Sequence, residues 1–322
     1  MANDLQFGGE NINRCVKRTV EIDLPPLYTH THISMPLYVI NGKKKGPSIF
    51  ICAALHGDEI NGMEIIRRVV SEVDEKKLTG SILAVPVVNV FGFITQSRYL
   101  PDRRDLNRSF PGSLKGSLSS RIAQIFMKEI VSKCNYGIDL HTATFNRVNL
   151  PQVRADLKDE ETRKCAIAFG APAMIQSDTR RGSLRQAAVR KGLKMLVFEG
   201  GEALRFNNEA IEIGVRGIMS VLKELNMLGW KKKAKHSRTS VEITKTVWIR
   251  AKNSGILRLS ADLGDWVEKK QNLGVISDPF NEHQSVFRSP SKGIVIGATV
   301  NPLVHRGDAV INLGIPVIES NV

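Results

Sequence analysis

The chain has 322 residues, 42% hydrophobic and 24% charged, with 46 Lys+Arg against 32 Asp+Glu and a formal net charge of +14. That length and composition are those of a packed globular chain of one large domain and a small one, and they exclude a disordered or collagen-like protein. The charge excess is spread along the sequence, and no aromatic residue alternates with the lysines of its densest run, 231–238, which argues against a stacking platform for nucleic acid there.

The first ~45 residues are a β-rich lead-in whose start, MANDLQFGGENIN, has no basic segment followed by an apolar run, so no secretory signal is expected and the cytoplasm is the expected compartment. Ser48 to Leu55 reads as a buried strand, and Ile60, Met63, Ile66 and Val70 then recur at helical spacing. Ser81 to Val90 reads as the next strand. The apolar stretch Ile82 to Ile94 is broken by Pro86, Asn89 and Gly92, short of the ~18 uninterrupted residues a membrane span needs, and no membrane partner is expected. Leu118 to Val131 is a predicted helix and Tyr136 to Leu140 a strand. Helices are then predicted over Glu160–Phe169 and Ser183–Lys191, and strands over Ala173–Gln176 and Lys194–Glu199. This alternation predicts an α/β fold with a mostly parallel sheet covered by helices, which places ligands at the carboxyl ends of its strands.

A helix-like segment ends near Gly229, and Lys231, Lys232, Lys233, Lys235 and Arg238 follow it as a predicted basic linker, 231–240. The division is therefore 1–230, the linker, and an all-β domain over 241–322. That last segment carries an internal repeat. Gly255-Ile256-Leu257 is echoed by Gly293-Ile294-Val295, and Gly264-Asp265 before Val267 by Gly307-Asp308 before Val310. It resembles a biotinyl/lipoyl-like barrel-sandwich, yet Lys292 lacks the flanking pattern of a modified carrier lysine. The four cysteines (Cys15, Cys52, Cys134, Cys165) form no Cys-x-x-Cys and read as reduced and structural.

The sharpest chemical feature is His56-Gly57-Asp58-Glu59, where the first strand gives way to a helix. A His on the strand end and a Glu on the first helical turn can converge on one metal ion. His141, in Asp139-Leu140-His141-Thr142, closes another strand and supplies a third ligand, with Asp139 placed to orient its ring N–H. Two histidines and a carboxylate leave a coordination position open, as in catalytic zinc sites. Between them lies a Pro- and Gly-containing loop, Ser97 to Gly112, with Arg98, Arg103, Arg104 and Arg108. Asn107 and Arg108 suit a substrate carboxylate; alternatively the arginines pair with Asp102 and Asp105 on a solvated loop. Glu199 follows a buried apolar run, beside Gly200 and Gly201, as a candidate general base, with Glu202 as its competitor. Arg185 stands at a helix start, either a surface residue or a further cation for the substrate.

His-Gly-Asp-Glu, then Ser-Arg-Tyr-Leu-Pro-Asp-x-Arg-Asp-Leu-Asn-Arg-Ser-Phe-Pro-Gly, then Asp-Leu-His-Thr, then a strand ending Phe-Glu-Gly-Gly resemble, in that order, the succinylglutamate desuccinylase/aspartoacylase family, which is related to zinc carboxypeptidases. The resemblance covers roughly residues 45 to 230. It implies a zinc-carboxypeptidase-like catalytic fold and one zinc ion per chain on His56, Glu59 and His141. It further implies carbonyl polarisation by Arg98, carboxylate binding by Asn107 and Arg108, and general-base work by Glu199. One departure is that the only tyrosines are Tyr28, Tyr38, Tyr99 and Tyr136, so the late-chain tyrosine such enzymes use is missing. The expected activity is zinc-dependent hydrolysis of the amide of an N-acyl amino acid or similar small carboxylate-bearing substrate. The alternatives are a carboxypeptidase acting on short or modified peptides and a noncatalytic anion or nucleic-acid binder. A homo-oligomer is compatible with the sequence.

Overall fold

The computed structural model describes residues 5–7, 10–229 and 240–316. The lead-in forms β1 (Leu5–Phe7), β2 (Glu10–Ile12), β3 (Val16–Leu24) and β4 (Ile33–Asn41). Alternation then begins with β5 (Lys44–Ala53), α1 (Asn61–Glu72), β6 (Thr79–Val85), α2 (Val90–Ile94), α3 (Leu118–Glu129) and β7 (Tyr136–His141). It continues through β8 (Arg147–Ala155), α4 (Glu160–Phe169), β9 (Ala173–Gln176), α5 (Leu184–Arg190), β10 (Lys194–Glu202) and α6 (Asn208–Glu224). Strands follow in the rest: β11 (Val241–Arg250), β12 (Gly255–Leu259), β13 (Trp266–Val267), β14 (Asn272–Ser277), β15 (Gln284–Arg288), β16 (Gly293–Thr299), β17 (Leu303–Val304) and β18 (Ala309–Pro316).

One twelve-stranded sheet, in the order β13-β16-β18-β11-β9-β8-β10-β7-β5-β6-β4-β3, organises the molecule. Its centre, β10–β7–β5–β6, is parallel, and β8 and β4 join that block antiparallel on either side. Alternate residues of β5 feed opposite layers. Ile51 and Ala53 pack with α1, α4 and α6, and Phe50 and Cys52 pack with α3 and α5. The helix starts follow side-chain chemistry: Asp159 accepts from the Thr162 N–H to cap α4, and Ser183 accepts from that of Gln186 to cap α5. Among the described residues no helix is long and apolar enough to cross a membrane.

Three elements differ from the sequence expectation for local reasons. The strand predicted over Ser81–Val90 stops at Val85, ahead of Pro86, which has no N–H to donate to a ladder, and Asn89 caps the short α2 instead. The arginine-rich loop contains a 3-10 turn, Leu106–Arg108, capped by Asp105. β8 gave no period-two signal because its register shifts against β10, between the Gln152 and Asn149 pairs.

The C-terminal segment is all strand, and its two echoed halves share a turn geometry: Gly264 and Gly307 hold left-handed φ values of 87° and 96° before β13 and β18. β12, β14, β15 and β17 form their own four-stranded sheet, whereas β11, β13, β16 and β18 extend the large one. The join is β11 running parallel to β9 and β16 antiparallel to β8. It is filled by Ala173, Ile175, Ile243, Ile294 and Ile296. The basic linker expected over 231–240 lies, apart from Ser240, outside the described residues. Because Ile296 is fully buried at this join, Ile296→Ala should destabilise the protein by about 2–5 kcal/mol. Urea unfolding followed by fluorescence and by circular dichroism should show one shifted transition; a separate early transition of unchanged main-sheet stability would mean that the two parts unfold independently.

Candidate active site

β5 and β7 are parallel neighbours, with Ala53 opposite Leu140, so the loop after β5 and the end of β7 open at the same edge of the sheet. His56 and Glu59 lie in that loop, just ahead of α1, and His141 is the last residue of β7. Gly57 allows this placement. A Cβ there would lie 1.9 Å from the carbonyl carbon of Gly92, so the His-Gly-Asp-Glu turn packs directly on α2, and the Gly57 N–H bonds the Ser97 carbonyl.

All three side chains are buried, and one ligand atom from each lies within 4.8 Å of the others. Glu59 Oε1 is 2.7 Å from His56 Nδ1 and Oε2 is 2.7 Å from His141 Nδ1. The opposite ring nitrogens face carboxylates as well: His56 Nε2 meets Asp105 at 3.1 Å and His141 Nε2 meets Asp139 at 2.9 Å. Each imidazole therefore sits between two carboxylates, an arrangement that demands positive charge. Arg98 Nη1 also lies 3.2 Å from His56 Nδ1, and since a guanidinium can only donate, it bonds that nitrogen only in the neutral ring whose proton is on Nε2 against Asp105. A lone pair so close to the Glu59 oxygen is repulsive unless a cation lies between them. Two imidazole nitrogens and a carboxylate oxygen, backed by outer carboxylates, fit a divalent transition ion, and the group is positioned to bind a metal.

Without a metal, protons carry the required charge. Burial opposes ionisation of His56 and His141, but Glu59 with Asp105, and Asp139 with Glu59, outweigh it and hold both pKa values above the ordinary histidine range. Burial likewise opposes the Glu59 carboxylate, and the two histidines overcome it and keep that group below the usual carboxylate range. The two oxygens of Asp105 divide between His56 and Arg98 Nη2, the latter at 2.9 Å. Cys52, in β5, donates to the second Asp139 oxygen from 3.4 Å.

The remaining predicted residues converge on the same cavity, of about 450 Å³, whose lining includes His56, Glu59, Arg98, Asn107, Arg108, His141, Arg185 and Glu199. Asp105 Oδ1 accepts from the Asn107 N–H and fixes the turn that carries Asn107 and Arg108. Asn107 Oδ1 in turn accepts from the Leu184 N–H at the start of α5. Arg185 is a buried residue rather than a surface one, and its guanidinium donates to Ser177 and to the Asp178 carbonyl. Glu199 lies in register with His141 on the adjoining strand. Glu202 is outside the cavity lining and pairs with Arg205 at 3.5 Å.

Sequence reasoning did not single out Arg147, Asn149, Arg154, Arg180, Thr246, Trp248 and Asn312, which also line the cavity. Arg147 rests over the Trp248 ring, 4.7 Å from its centroid. Thr246, Trp248 and Asn312 come from β11 and β18. Asp105 pairs with Arg98, as the loop alternative expects, and it also meets His56 Nε2, which no sequence motif indicates. For the strand residues no local motif exists, since the cavity face of β8 depends on its register shift.

The expected mostly parallel sheet is a mixed one, parallel through β10–β7–β5–β6 and antiparallel on both flanks, and it carries a buried His/Glu/His group positioned to bind a metal at the ends of its parallel strands. Residues 45–225 match the succinylglutamate desuccinylase/aspartoacylase catalytic domain, and the chain belongs to that family. It is 25% identical over 300 residues to the N-alpha-acetyl-L-2,4-diaminobutyric acid deacetylase of Halomonas elongata, covering 89% of this chain and 87% of the relative. Among solved structures it is similar to the succinylglutamate desuccinylase/aspartoacylase of Rhodobacter sphaeroides, at TM-score 0.83 and 23% identity, with 93% of this chain and 96% of that one covered. The product-bound ectoine utilization protein EutE (DoeB) of Ruegeria pomeroyi superposes at TM-score 0.82 and 23% identity, with 93% and 95% covered.

Removing either outer carboxylate, in Asp105→Ala or Asp139→Ala, should weaken metal affinity by roughly 10–100-fold, read by chelator competition. Because both rings hold their protons to higher pH than an ordinary histidine, metal uptake at neutral pH should release protons, and affinity should rise with pH through that range. Calorimetry in buffers of different ionisation heat measures the release; an equal apparent heat in all of them would refute it.

Proposed function

We propose that the chain is a zinc-dependent hydrolase that cleaves the amide bond of an N-acyl amino acid or a similar small carboxylate-bearing substrate. The observation that carries this reading is the convergence of a His56/Glu59/His141 group, Glu199 and several guanidiniums on one cavity. The family match and the deacetylase relative support the same class of chemistry.

His56, Glu59 and His141 would hold the ion, which supplies Lewis acidity toward the amide carbonyl and acidifies water. Glu199 takes the proton of the attacking water and delivers it to the leaving amine nitrogen. Arg98, held by Asp105 at 2.9 Å and by Glu59 at 3.4 Å, is fixed beside the metal group and donates to the oxyanion as it develops. Its orientation is set before substrate arrives.

Arg108, Arg147, Arg180 and Arg185 line the cavity, and among the described residues none of them forms an ion pair with a carboxylate. Of these Arg185 is buried, and a guanidinium buried without a counter-charge is costly; Arg147 is half-buried and Arg108 and Arg180 are exposed, and the free carboxylate of a substrate is the counter-charge that suits this cluster. Burial, with the nearby Arg154 charge, lowers the Arg185 pKa, and burial lowers that of Arg108.

The purified protein should contain about one zinc per chain, and His56→Ala and His141→Ala should lose metal and turnover together. Glu199→Gln should keep the metal and lose roughly 10²–10⁴ in rate; a comparable loss in Glu202→Gln with Glu199→Gln near normal would move the role. Arg108→Ala should raise the barrier for the free acid by more than about 1.5 kcal/mol. Methyl esters of the same N-acyl amino acids should be poor substrates, and esters turned over as well as the acids would defeat the carboxylate assignment.

A further inference from the structure

Glu199 Oε2 accepts a hydrogen bond from Asn149 Nδ2 at 2.8 Å. It is the one hydrogen bond made by the Glu199 carboxylate among the described residues. Arg154 Nε approaches Oε1 at 3.5 Å as an ion pair, but its geometry makes no hydrogen bond. A point charge at that distance leaves the carboxylate free to rotate, whereas the amide fixes one oxygen and thereby the direction in which the other points.

Asn149 reaches Glu199 only because β8 is bulged. Along β10 two steps separate Glu199 from Gly201, while along β8 three separate their partners Gln152 and Asn149. The extra residue reverses the alternation of the strand. Arg147 and Asn149 consequently face the same cavity as Arg154, whereas Val153 and Ala155 pack into the helical layer.

On its other side β8 meets β16, where Asn149 lies opposite Gly297. A Cβ on Gly297 would stand 2.9 Å from Asn149 Oδ1, while its next contacts, 3.4 Å from Asn312 Cβ and 3.5 Å from the Val148 carbonyl, are ordinary. Gly297 is not among the positive-φ glycines. Its missing side chain therefore provides space, and that space is filled by the Asn149 amide.

We infer that Asn149 is the positioning residue of the Glu199 base, and that strand β16 sets Asn149 through the bare Cα of Gly297. The C-terminal strands thus act on catalysis through this contact without supplying the reacting group. The inference rests on Glu199 being the base in the function proposed above.

The test compares full-length wild type with Glu199→Gln, Asn149→Ala, Asn149→Asp and Gly297→Ala, measuring kcat, KM, metal content and thermal stability on N-acyl amino acids. Asn149→Ala should lower kcat about 10–100-fold, with KM and metal content close to wild type. Asn149→Asp keeps the shape but sets a carboxylate against a carboxylate, so it should fall below Asn149→Ala; a purely structural role predicts the reverse order. Gly297→Ala should fold normally and still lose several-fold in kcat. Wild-type kcat in Asn149→Ala and Gly297→Ala, with Glu199→Gln inactive, overturns the inference alone. Full turnover in Glu199→Gln overturns the base assignment and this inference with it. A crystal structure of Gly297→Ala decides the geometry without any substrate: a displaced Asn149 amide no longer bonded to Glu199 supports the inference, and an unmoved pair refutes it.

Discussion

A carboxylate buried between two imidazole nitrogens, Glu59 between His56 and His141, is the interaction on which the rest of the site depends. Such a group is stable only if its charge is balanced and its lone pairs are engaged. The surrounding structure meets both demands. Two outer carboxylates orient the rings, Asp105 also holds Arg98, and Cys52 occupies the remaining Asp139 oxygen. The parallel pairing of β5 with β7 is what brings the two histidines to one edge of the sheet.

Around that buried core the cavity wall is rich in arginine. Arg98, Arg108, Arg147, Arg154, Arg180 and Arg185 all line it. They differ in what restrains them: Arg98 is ion-paired, Arg185 is tied to backbone and hydroxyl oxygens, and Arg147 lies on an indole ring. Fixing a guanidinium by packing or by neutral acceptors leaves its charge available, which suits a site that recognises an anion. The loop carrying Asn107 and Arg108 is bonded to the start of α5, so the cations of two separate segments are held in one frame.

The C-terminal strands complete this frame rather than hanging beside it. Strands β11 and β18 contribute Thr246, Trp248 and Asn312 to the cavity, and β16 pairs with the bulged strand that carries Asn149. An isoleucine-rich join with β9 buries the contact. Gly264 and Gly307 hold alike positive-φ turns, and the sheet of the segment is continuous with that of the preceding residues.

The linear sequence determined the alternation of strands and helices, because a 3.6 or 2.0 period survives in a single segment, and it determined the three-residue metal group, because His56, Glu59 and His141 sit in short motifs at strand ends. It also carried the Arg98, Asn107 and Arg108 loop, whose residues are near one another along the chain. Tertiary structure alone decided that Asp105, which holds Arg98 within its own loop, would also meet His56, since that second contact joins two separate loops. It put Glu199 on the cavity wall and Glu202 outside it beside Arg205, although the two differ by only three positions. It alone put Asn149, Arg154, Trp248 and Asn312 on the cavity, because a register shift and the pairing of distant strands are set by how whole segments dock, and those long-range contacts leave no periodic trace in the residues that make them.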